Sequence, residues 1–339
     1  MSEESSLRTT KRHPLLAGLL SLVSPGLGQV YCGRIRRGLV FIAVTVTAVP
    51  LYFQVLTRLS PPTTSALLAV LGAYALTTLI PLVDAMRLAR RTRRDYQRKE
   101  YNHWAVYGLL WLVSAGGSLG YALHARDKCI EAFWVPHASM YPTILPGDRL
   151  LANKAAYRAA DPQRGDLVVF TPLHQRQEKW IKRVIALAGD TVEIKQGQVF
   201  VNDKAFERKE LPNWTLATLK AHYPAGSRKR QLVEGTVYEE SNGRTTYTIL
   251  SSGRTTNTVR QRGQGDEATV DLANVAKTTI PKHHCYVLGD FRDNSLDSRH
   301  LGPIPLATIV GRADFLFWPV KSWSRFGPIG GLRRRNPDR

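Results

Sequence analysis

Four apolar runs near the start of the chain constrain its fold more than any other feature. They cover roughly residues 14–31, 38–56, 65–86 and 104–125 of 339. The last three approach the ~20 apolar residues that a helix needs to cross a bilayer, and they lack the polar face of a helix packed on a soluble core. We therefore expect residues 14–125 to form a membrane domain of three or four apolar segments.

The distribution of charge predicts how these segments are oriented. The chain carries a formal charge of +20, and seven basic residues lie between Arg87 and Lys99. Such a cluster is typical of a cytoplasmic loop beside a membrane, which favours an anionic bilayer over nucleic acid as the partner of this charge. The helix at 104–125 then carries the chain outward. We expect everything after about residue 126 on the extracytoplasmic side of the plasma membrane.

The first apolar run leaves two alternatives open. If residues 14–31 span the bilayer, the basic residues of the tail at 1–13 lie outside, against the positive-inside rule. A re-entrant or interfacial hairpin, broken at Pro25-Gly26, keeps that tail in the cytoplasm. We favour the hairpin.

The second half of the chain has the sequence pattern of β-strands. Residues 166–170, 191–194, 199–201 and 285–288 read as strands bounded by Gly and Asn/Asp turns. We expect a mostly-β domain, barrel-like in character, built from residues 126–203 and 280–327 and following the transmembrane helices.

A polar, Thr-rich segment interrupts this domain. Residues 204–279 hold few large apolar side chains, so they can form a small antiparallel β subdomain but not the main core. Ser241-Asn242-Gly243 is a strong hairpin signal within it. Residues 328–339 form a basic tail. We expect no catalytic residue from the inserted subdomain.

The cysteines indicate neither a metal site nor a disulfide framework. Cys32, Cys129 and Cys285 make an odd number without any Cys-x-x-Cys pair. A bridge between Cys129 and Cys285 stays open if both lie in an oxidising compartment. No cofactor and no metal are expected.

Three stretches of the β half carry candidate chemistry. Val135–Asp148 is apolar and proline-framed, and it presents Ser139 before a Pro-Gly-Asp turn. Trp180–Asp190 places Lys182 in an apolar segment, and Gly289–Arg299 packs short polar residues with charges of both signs. The last stretch lacks the twelve-residue spacing and closing Glu of a calcium loop.

Lys182 has the setting that a lysine general base requires. A serine hydroxyl needs a base within hydrogen-bond reach, and an apolar environment lowers the pKa of a lysine because the charged form loses hydration. On a strand, Lys182 and Arg183 point to opposite faces. We therefore expect one of these two cations to face the interior and the other to face solvent.

The three stretches, in this order on a membrane-anchored chain, resemble the bacterial type I signal peptidases, which are serine–lysine proteases. Ser-Met-Tyr-Pro-Thr at 139–143 is similar to the family's nucleophile box, and Ile181-Lys182-Arg183 through Gly189-Asp190 to its general-base box. Gly289-Asp290 through Arg299 is similar to its last box. The likeness covers roughly residues 130–325, whereas the membrane segments before Trp104 exceed the usual one- or two-helix anchor.

The resemblance implies a role for each matching residue. Ser139 is the expected nucleophile and Lys182 the expected general base, which Ser295 orients by a hydrogen bond. Asp297 and Arg299 are expected to form an ion pair beneath the site.

The resemblance also implies how the last loop and the oxyanion are held. Asp290 is expected to help fix the loop, and the Ser139 backbone N–H to donate to the oxyanion. The second oxyanion donor of the family is usually a hydroxyl two residues before the nucleophile. His137 stands there, so either its ring N–H substitutes or the oxyanion hole is weaker.

The function that the resemblance implies is removal of signal peptides from exported preproteins with small residues at positions −1 and −3. Two alternatives remain open: a dedicated maturation peptidase of one secretion or pilus system, and an inactive membrane scaffold of the same fold. A serine–histidine hydrolase using His137 is disfavoured, because no Gly-x-Ser-x-Gly elbow surrounds Ser139 and the Lys182 stretch would be unexplained.

Overall fold

The computed structural model describes residues 11–58, 64–92, 96, 99–158, 160–173, 177–212, 235–260 and 267–329. Parts of four predicted segments lie outside the described residues: most of the tail at 1–13, most of the tail at 328–339, and sections of the basic run and of the insertion. The chain divides into two compact units, residues 1–129 and 130–339.

The first unit is entirely helical where the structure describes it. Its helices are α1 Pro14–Val23, α2 Leu27–Tyr31, α3 Ile35–Arg58, α4 Thr64–Arg91 and α5 Trp104–Lys128. Three stretches in α3, α4 and α5 are long and apolar enough to cross a bilayer, namely Ile35–Tyr52, Leu68–Arg91 and Trp104–Ala125.

The first apolar run is broken where the sequence predicts. The helix α1 ends at Val23, and Gly26 takes a positive φ of 110° before α2 begins. At 1.5 Å per residue, ten residues of α1 extend only about 15 Å, half of a ~30 Å hydrocarbon core. Neither α1 nor α2 is long enough to span.

Small residues let α1 and α2 pack closely within this unit. A Cβ built on Gly28 would lie 2.2 Å from the Ala17 carbonyl oxygen, and one on Gly26 would lie 2.3 Å from that of Gly38. Gln29, fully buried, donates to the Pro81 carbonyl at 2.7 Å and to Asp84 at 3.0 Å. The Pro25–Gly33 segment is therefore a packing motif that holds α1 and α2 against α4.

The second unit is mostly β. Its strands are β1 Ile130–Trp134, β2 Arg149–Asn153, β3 Leu167–Phe170, β4 Trp180–Leu187, β5 Thr191–Lys195, β6 Gln198–Val201, β7 Lys204–Ala205, β8 Glu207–Glu210, β9 Thr236–Ser241, β10 Thr246–Ser251, β11 Thr256–Arg260, β12 Glu267–Asp271, β13 Val275–Thr279, β14 His284–Leu288, β15 Ile304–Pro305, β16 Ile309–Trp318 and β17 Gly327–Pro328; a one-turn helix, α6, covers Ser298–Leu301. All the paired strands run antiparallel, which confirms the predicted fold class of apolar helices followed by a mostly-β domain.

The main sheet positions the candidate site. Its strand order is β1-β2-β16-β3-β4-β14-β15, with β17 paired to β16. One face is covered by an apolar core that includes Met140, Ile144 and Leu316, so the nucleophile stretch is part of the core rather than a surface loop.

The predicted hairpin is confirmed, and it packs on the last box. Strands β9 and β10 pair with Ser241 opposite Thr246, and Asn242 closes the turn by accepting from the Thr245 N–H at 2.7 Å. Leu250 of β10 exchanges backbone hydrogen bonds with the chain around Phe291. The boundaries of the insertion at 204 and 279 stay a prediction, since β7 and β13 at its ends join a four-stranded sheet with β5 and β6.

Candidate active site

Ser139 lies in the loop that joins β1 to β2, and that loop is fixed at its base. Asp148, from the Pro-Gly-Asp turn, is fully buried. It accepts from the Leu145 N–H at 2.7 Å and from both terminal nitrogens of the Arg325 guanidinium at 2.9 and 2.7 Å. Because a buried carboxylate with several donors resists displacement, the loop carrying Ser139 is held in one conformation.

Lys182 lies on β4 and reaches Ser139. Its Nζ is 3.0 Å from Ser139 Oγ and 3.0 Å from the Ile181 carbonyl oxygen. The side chain is buried, and burial lowers the pKa of Lys182 to about 8, although Asp297 and Asp290 act in the opposite direction. The structure thus brings together the two side chains that the sequence singled out as nucleophile and base.

Both predicted cations of β4 are buried, so the expectation that one faces solvent is wrong. Lys182 is 4% exposed and Arg183 is 6% exposed. The reason is that β4 is covered on both faces. Arg183 donates to both oxygens of Asp290 at 2.7 and 2.6 Å, and its guanidinium stacks over the Tyr247 ring at 4.0 Å.

The pair formed by Arg183 and Asp290 links all three candidate stretches. Arg183 lies opposite Leu288 in the β4–β14 ladder, which brings Asp290, two residues further on, beside it. Asp290 Oδ2, which accepts from Arg183, also accepts from Thr143 Oγ1, four residues after the nucleophile, at 2.5 Å. Asp290 therefore has the loop-fixing contacts that the resemblance implied for it.

Asp297 and Arg299 form the predicted ion pair, and both are buried. The guanidinium donates to Asp297 at 2.9 and 2.8 Å, and Asp297 also accepts from the Gly289 N–H at 3.0 Å. Burial alone would raise the pKa of Asp297, but Arg299 outweighs it and lowers that pKa. The pair holds the ends of the last loop together.

Ser295 does not make the hydrogen bond predicted for it. Its hydroxyl is buried and has no hydrogen-bond partner among the described residues, Lys182 included. It lies instead against Gly289, where an added Cβ would be 2.2 Å from Ser295 Oγ and 2.6 Å from the Ser139 carbonyl oxygen. Ser295 is thus packed behind the nucleophile, and only glycine fits between them.

His137 is exposed. The Ser139 carbonyl accepts from the Phe291 N–H at 3.1 Å. That bond fixes the peptide of the nucleophile against the last loop.

Sequence reasoning missed a second buried network, which the insertion supplies. Glu240 of β9 is fully buried and accepts from Arg292 and Arg208, with Tyr247 Oη donating to it at 2.9 Å. Burial would raise the pKa of Glu240, but the two arginines outweigh it and lower that pKa to about 2. No local pattern signalled this network, because Glu240 is flanked by Glu239 and Ser241 and Tyr247 by two threonines.

No group of three or more His, Cys, Asp or Glu side chains that could hold a metal ion occurs among the described residues. All three cysteines are free thiols. Because Cys129 belongs to the first unit and Cys285 to the second, the bridge between them stays an open prediction.

Comparison with known proteins gives one consistent result. A family model described as signal peptidase, peptidase S26, matches residues 109–318. A signal peptidase I of Leptolyngbya laminosa is 30% identical over 224 residues, covering 64% of this chain and 83% of that protein. A signal peptidase I of Pseudomonas aeruginosa is 32% identical over 235 residues, covering 60% and 73%, and a probable signal peptidase I-2 of Synechocystis is 27% identical over 238 residues, covering 69% and 82%.

Proposed function

Because this chain belongs to the signal peptidase family, peptidase S26, it is a membrane-associated peptidase that removes signal peptides from exported preproteins, and we propose that a Ser139–Lys182 dyad performs the cleavage. The observation that carries the dyad is the 3.0 Å contact between Lys182 Nζ and Ser139 Oγ. A nucleophile and a base need this hydrogen-bond reach.

In the proposed mechanism, neutral Lys182 accepts the Ser139 proton as Oγ attacks the scissile carbonyl carbon. The tetrahedral intermediate collapses when the resulting ammonium returns the proton to the leaving amine. Water then hydrolyses the acyl-enzyme with Lys182 again as the base. The lowered pKa of Lys182 supports this role, since a lysine can accept a proton only in its uncharged form.

The Ser139 backbone N–H is proposed as one oxyanion donor, and His137 remains the candidate for the second. Loss of one such donor typically costs about 10²–10³-fold in kcat. A decrease of that size in His137→Ala would assign the role to the ring. A wild-type kcat in His137→Ala would mean that the oxyanion is stabilised by the Ser139 backbone N–H and by donors other than His137.

The experiment that tests the dyad is cleavage of a model preprotein by purified protein, with N-terminal sequencing of the product. Ser139→Ala and Lys182→Ala should both abolish cleavage. Lys179→Ala is the matched control, because Lys179 lies three residues away and forms an ion pair with Glu131. Activity that persists in Lys182→Ala would exclude the mechanism, and a cleavage site without small residues at −1 and −3 would exclude the proposed specificity.

We further propose three membrane spans with the catalytic unit on the extracytoplasmic side. The start of α1 and the end of α2 meet, because the His13 N–H donates to Tyr31 Oη at 3.3 Å and Arg12 lies over the Tyr31 ring at 4.4 Å. A segment whose two ends are adjacent returns to the side from which it entered. This supports the re-entrant interpretation of residues 14–31.

The loop between α4 and α5 comes to the same end of the helical unit. Tyr101 Oη donates to the Gly33 carbonyl at 2.6 Å, and Asn102 Nδ2 donates to the Val30 carbonyl at 2.9 Å. The basic residues at this end of the unit favour placing it in the cytoplasm. The helices α3, α4 and α5 then cross the membrane one after another, and α5 ends on the extracytoplasmic side. Protease added to intact spheroplasts should then digest the second unit; protection there with digestion in inverted vesicles would refute this topology.

The exposed tryptophans of the second unit support a further part of this proposal. Trp134, Trp318 and Trp323 are each more than half exposed, and the last two rings pack edge to face at 5.3 Å. Aromatic rings of this kind are enriched at bilayer interfaces. We propose that they bring Ser139 to the headgroup layer, where the substrate's signal helix ends.

The two alternatives kept open above have no specific observation in their favour. A scaffold would not need a buried lysine held against a serine hydroxyl. A dedicated peptidase would show cleavage defects for one class of exported protein after depletion, whereas a general one would show defects across a panel.

A further inference from the structure

A cavity of about 280 Å³ lies beside the last loop, away from the two proposed catalytic side chains. Four arginines line it, namely Arg208, Arg254, Arg292 and Arg299; neither Ser139 nor Lys182 does. We call it the arginine cavity. Its volume far exceeds the ~10–15 Å³ that a single water needs, so it can hold a larger polar group.

The walls of the arginine cavity carry more positive than negative charge. Arg208 and Arg292 share a single carboxylate, that of Glu240, and Arg299 is neutralised by Asp297. Arg254 is exposed at the opening and adds a further charge. Burial, and after it the proximity of Arg292, lowers the pKa of Arg208.

One donor at this cavity has no acceptor. Arg292 is buried, and its Nε–H makes no hydrogen bond among the described residues, although its two terminal nitrogens are bound to Glu240. An unsatisfied charged donor costs free energy unless an acceptor reaches it. The one acidic wall residue, Asp293, is already held by the hydroxyls of Ser251 and Ser252 at 3.0 Å each.

We propose that the arginine cavity binds a phosphate-type oxyanion, either free inorganic phosphate or the phosphomonoester of a lipid headgroup. The planar fork of a guanidinium matches the oxygen spacing of such an anion. An oxyanion there balances the positive charge that the single carboxylate of Glu240 leaves uncompensated on Arg208 and Arg292. It binds the loop that carries Ser295 and Asp297, so it stabilises the catalytic unit.

The test is thermal unfolding of the full-length protein in detergent, titrated with inorganic phosphate at constant ionic strength. Wild type should show a saturable rise in Tm. Arg254→Gln should weaken the apparent Kd about tenfold, because one charge-assisted hydrogen bond is lost, whereas Arg149→Gln, an equal charge change at an exposed arginine of β2, should titrate like wild type.

Two results would overturn the proposal: no saturable rise in wild type, or the same rise in all three proteins. The rate of peptide cleavage without phosphate should be unchanged in Arg254→Gln, which checks that the variant is folded. As a second measurement, the ³¹P NMR line of phosphate should broaden when wild type is added, and it should broaden less when the variant is added. The same titration with dihexanoyl phosphatidic acid distinguishes a lipid headgroup from free phosphate as the ligand. A Kd lower than that of inorganic phosphate indicates a lipid headgroup, and an equal or higher Kd indicates free phosphate.

Discussion

The pH dependence of cleavage tests the central property of this site, which is an amine that loses its proton near pH 8. Burial moves the pKa of Lys182 from an ordinary 10.5 to about 8. Only the neutral amine can accept the Ser139 proton, so kcat/KM should follow the neutral fraction. That fraction rises from about 1% at pH 6 to about 50% at pH 8. The expected gain in kcat/KM is therefore about 50-fold over two pH units.

The assay is steady-state cleavage of a peptide substrate without groups that titrate between pH 6 and 10. The logarithm of kcat/KM should rise with unit slope and level off above pH 8. A midpoint near 10.5 would mean that Lys182 is an ordinary solvated lysine, and a flat profile would mean that it is not the base. Either result would refute the reasoning.

The charges next to Lys182 allow a second test, in which the direction of the shift in its pKa is predicted. Asp297 raises the pKa of Lys182, because a carboxylate favours the ammonium form. Asp297→Asn should therefore move the midpoint of the profile to lower pH, even if the maximum rate falls. A purely structural effect would lower the plateau without moving the midpoint.

Three further predictions concern the buried ion pairs and the packing around the nucleophile. Asp290→Asn should lower the free energy of unfolding by about 3–5 kcal/mol in chemical denaturation, because it leaves Arg183 buried without its carboxylate. The free energy of unfolding of wild type should fall by about 3 kcal/mol between pH 4.5 and pH 2, because the pKa of Glu240 is lower in the folded than in the unfolded protein. The ionised carboxylate stabilises the fold above its unfolded pKa, and this stabilisation is lost as the carboxylate protonates in the folded state. Glu240→Gln should lack this loss. Gly289→Ala should reduce kcat about 100-fold with little change in helix content by circular dichroism, because the new methyl displaces Ser139; wild-type kcat in this variant would contradict the packing argument.

The elements that the sequence predicted well are those with a local signal. A run of about 20 apolar residues, a Pro-Gly break and an Asn-Gly turn each act within a few residues, so α3 to α5, the break at Pro25-Gly26 and the β9–β10 hairpin were accessible. The two side chains that meet at 3.0 Å, Ser139 and Lys182, were accessible only through the resemblance, because no local pattern says that the loop after β1 lies against β4.

The errors came from long-range packing. Alternation on β4 correctly separates Lys182 and Arg183 onto opposite faces, but it cannot reveal that Tyr247, from a hairpin more than sixty residues later, covers the second face. The predicted contact of Ser295 failed for a related reason. Its position depends on how closely Gly289 approaches the Ser139 peptide, and a sequence does not state interatomic distances.

The buried ion pairs explain why Lys182 can be neutral among so many charges. Two arginines lie near Lys182, and each has its own carboxylate: Arg183 pairs with Asp290 and Arg299 pairs with Asp297. Lys182 forms no salt bridge with any described residue.

Desolvation has the largest effect on the pKa of Lys182, and Arg299 offsets part of the opposing effect of Asp297 and Asp290, so the net shift is downward. Freeing one of these carboxylates should therefore convert the base into an ammonium. Arg299→Met would do so by leaving Asp297 unpaired and also by removing a cation that lowers the pKa of Lys182. The midpoint of kcat/KM should then move above pH 8, in the direction opposite to Asp297→Asn. Shifts of the same sign in the two variants would show that the pairing does not control the charge of Lys182.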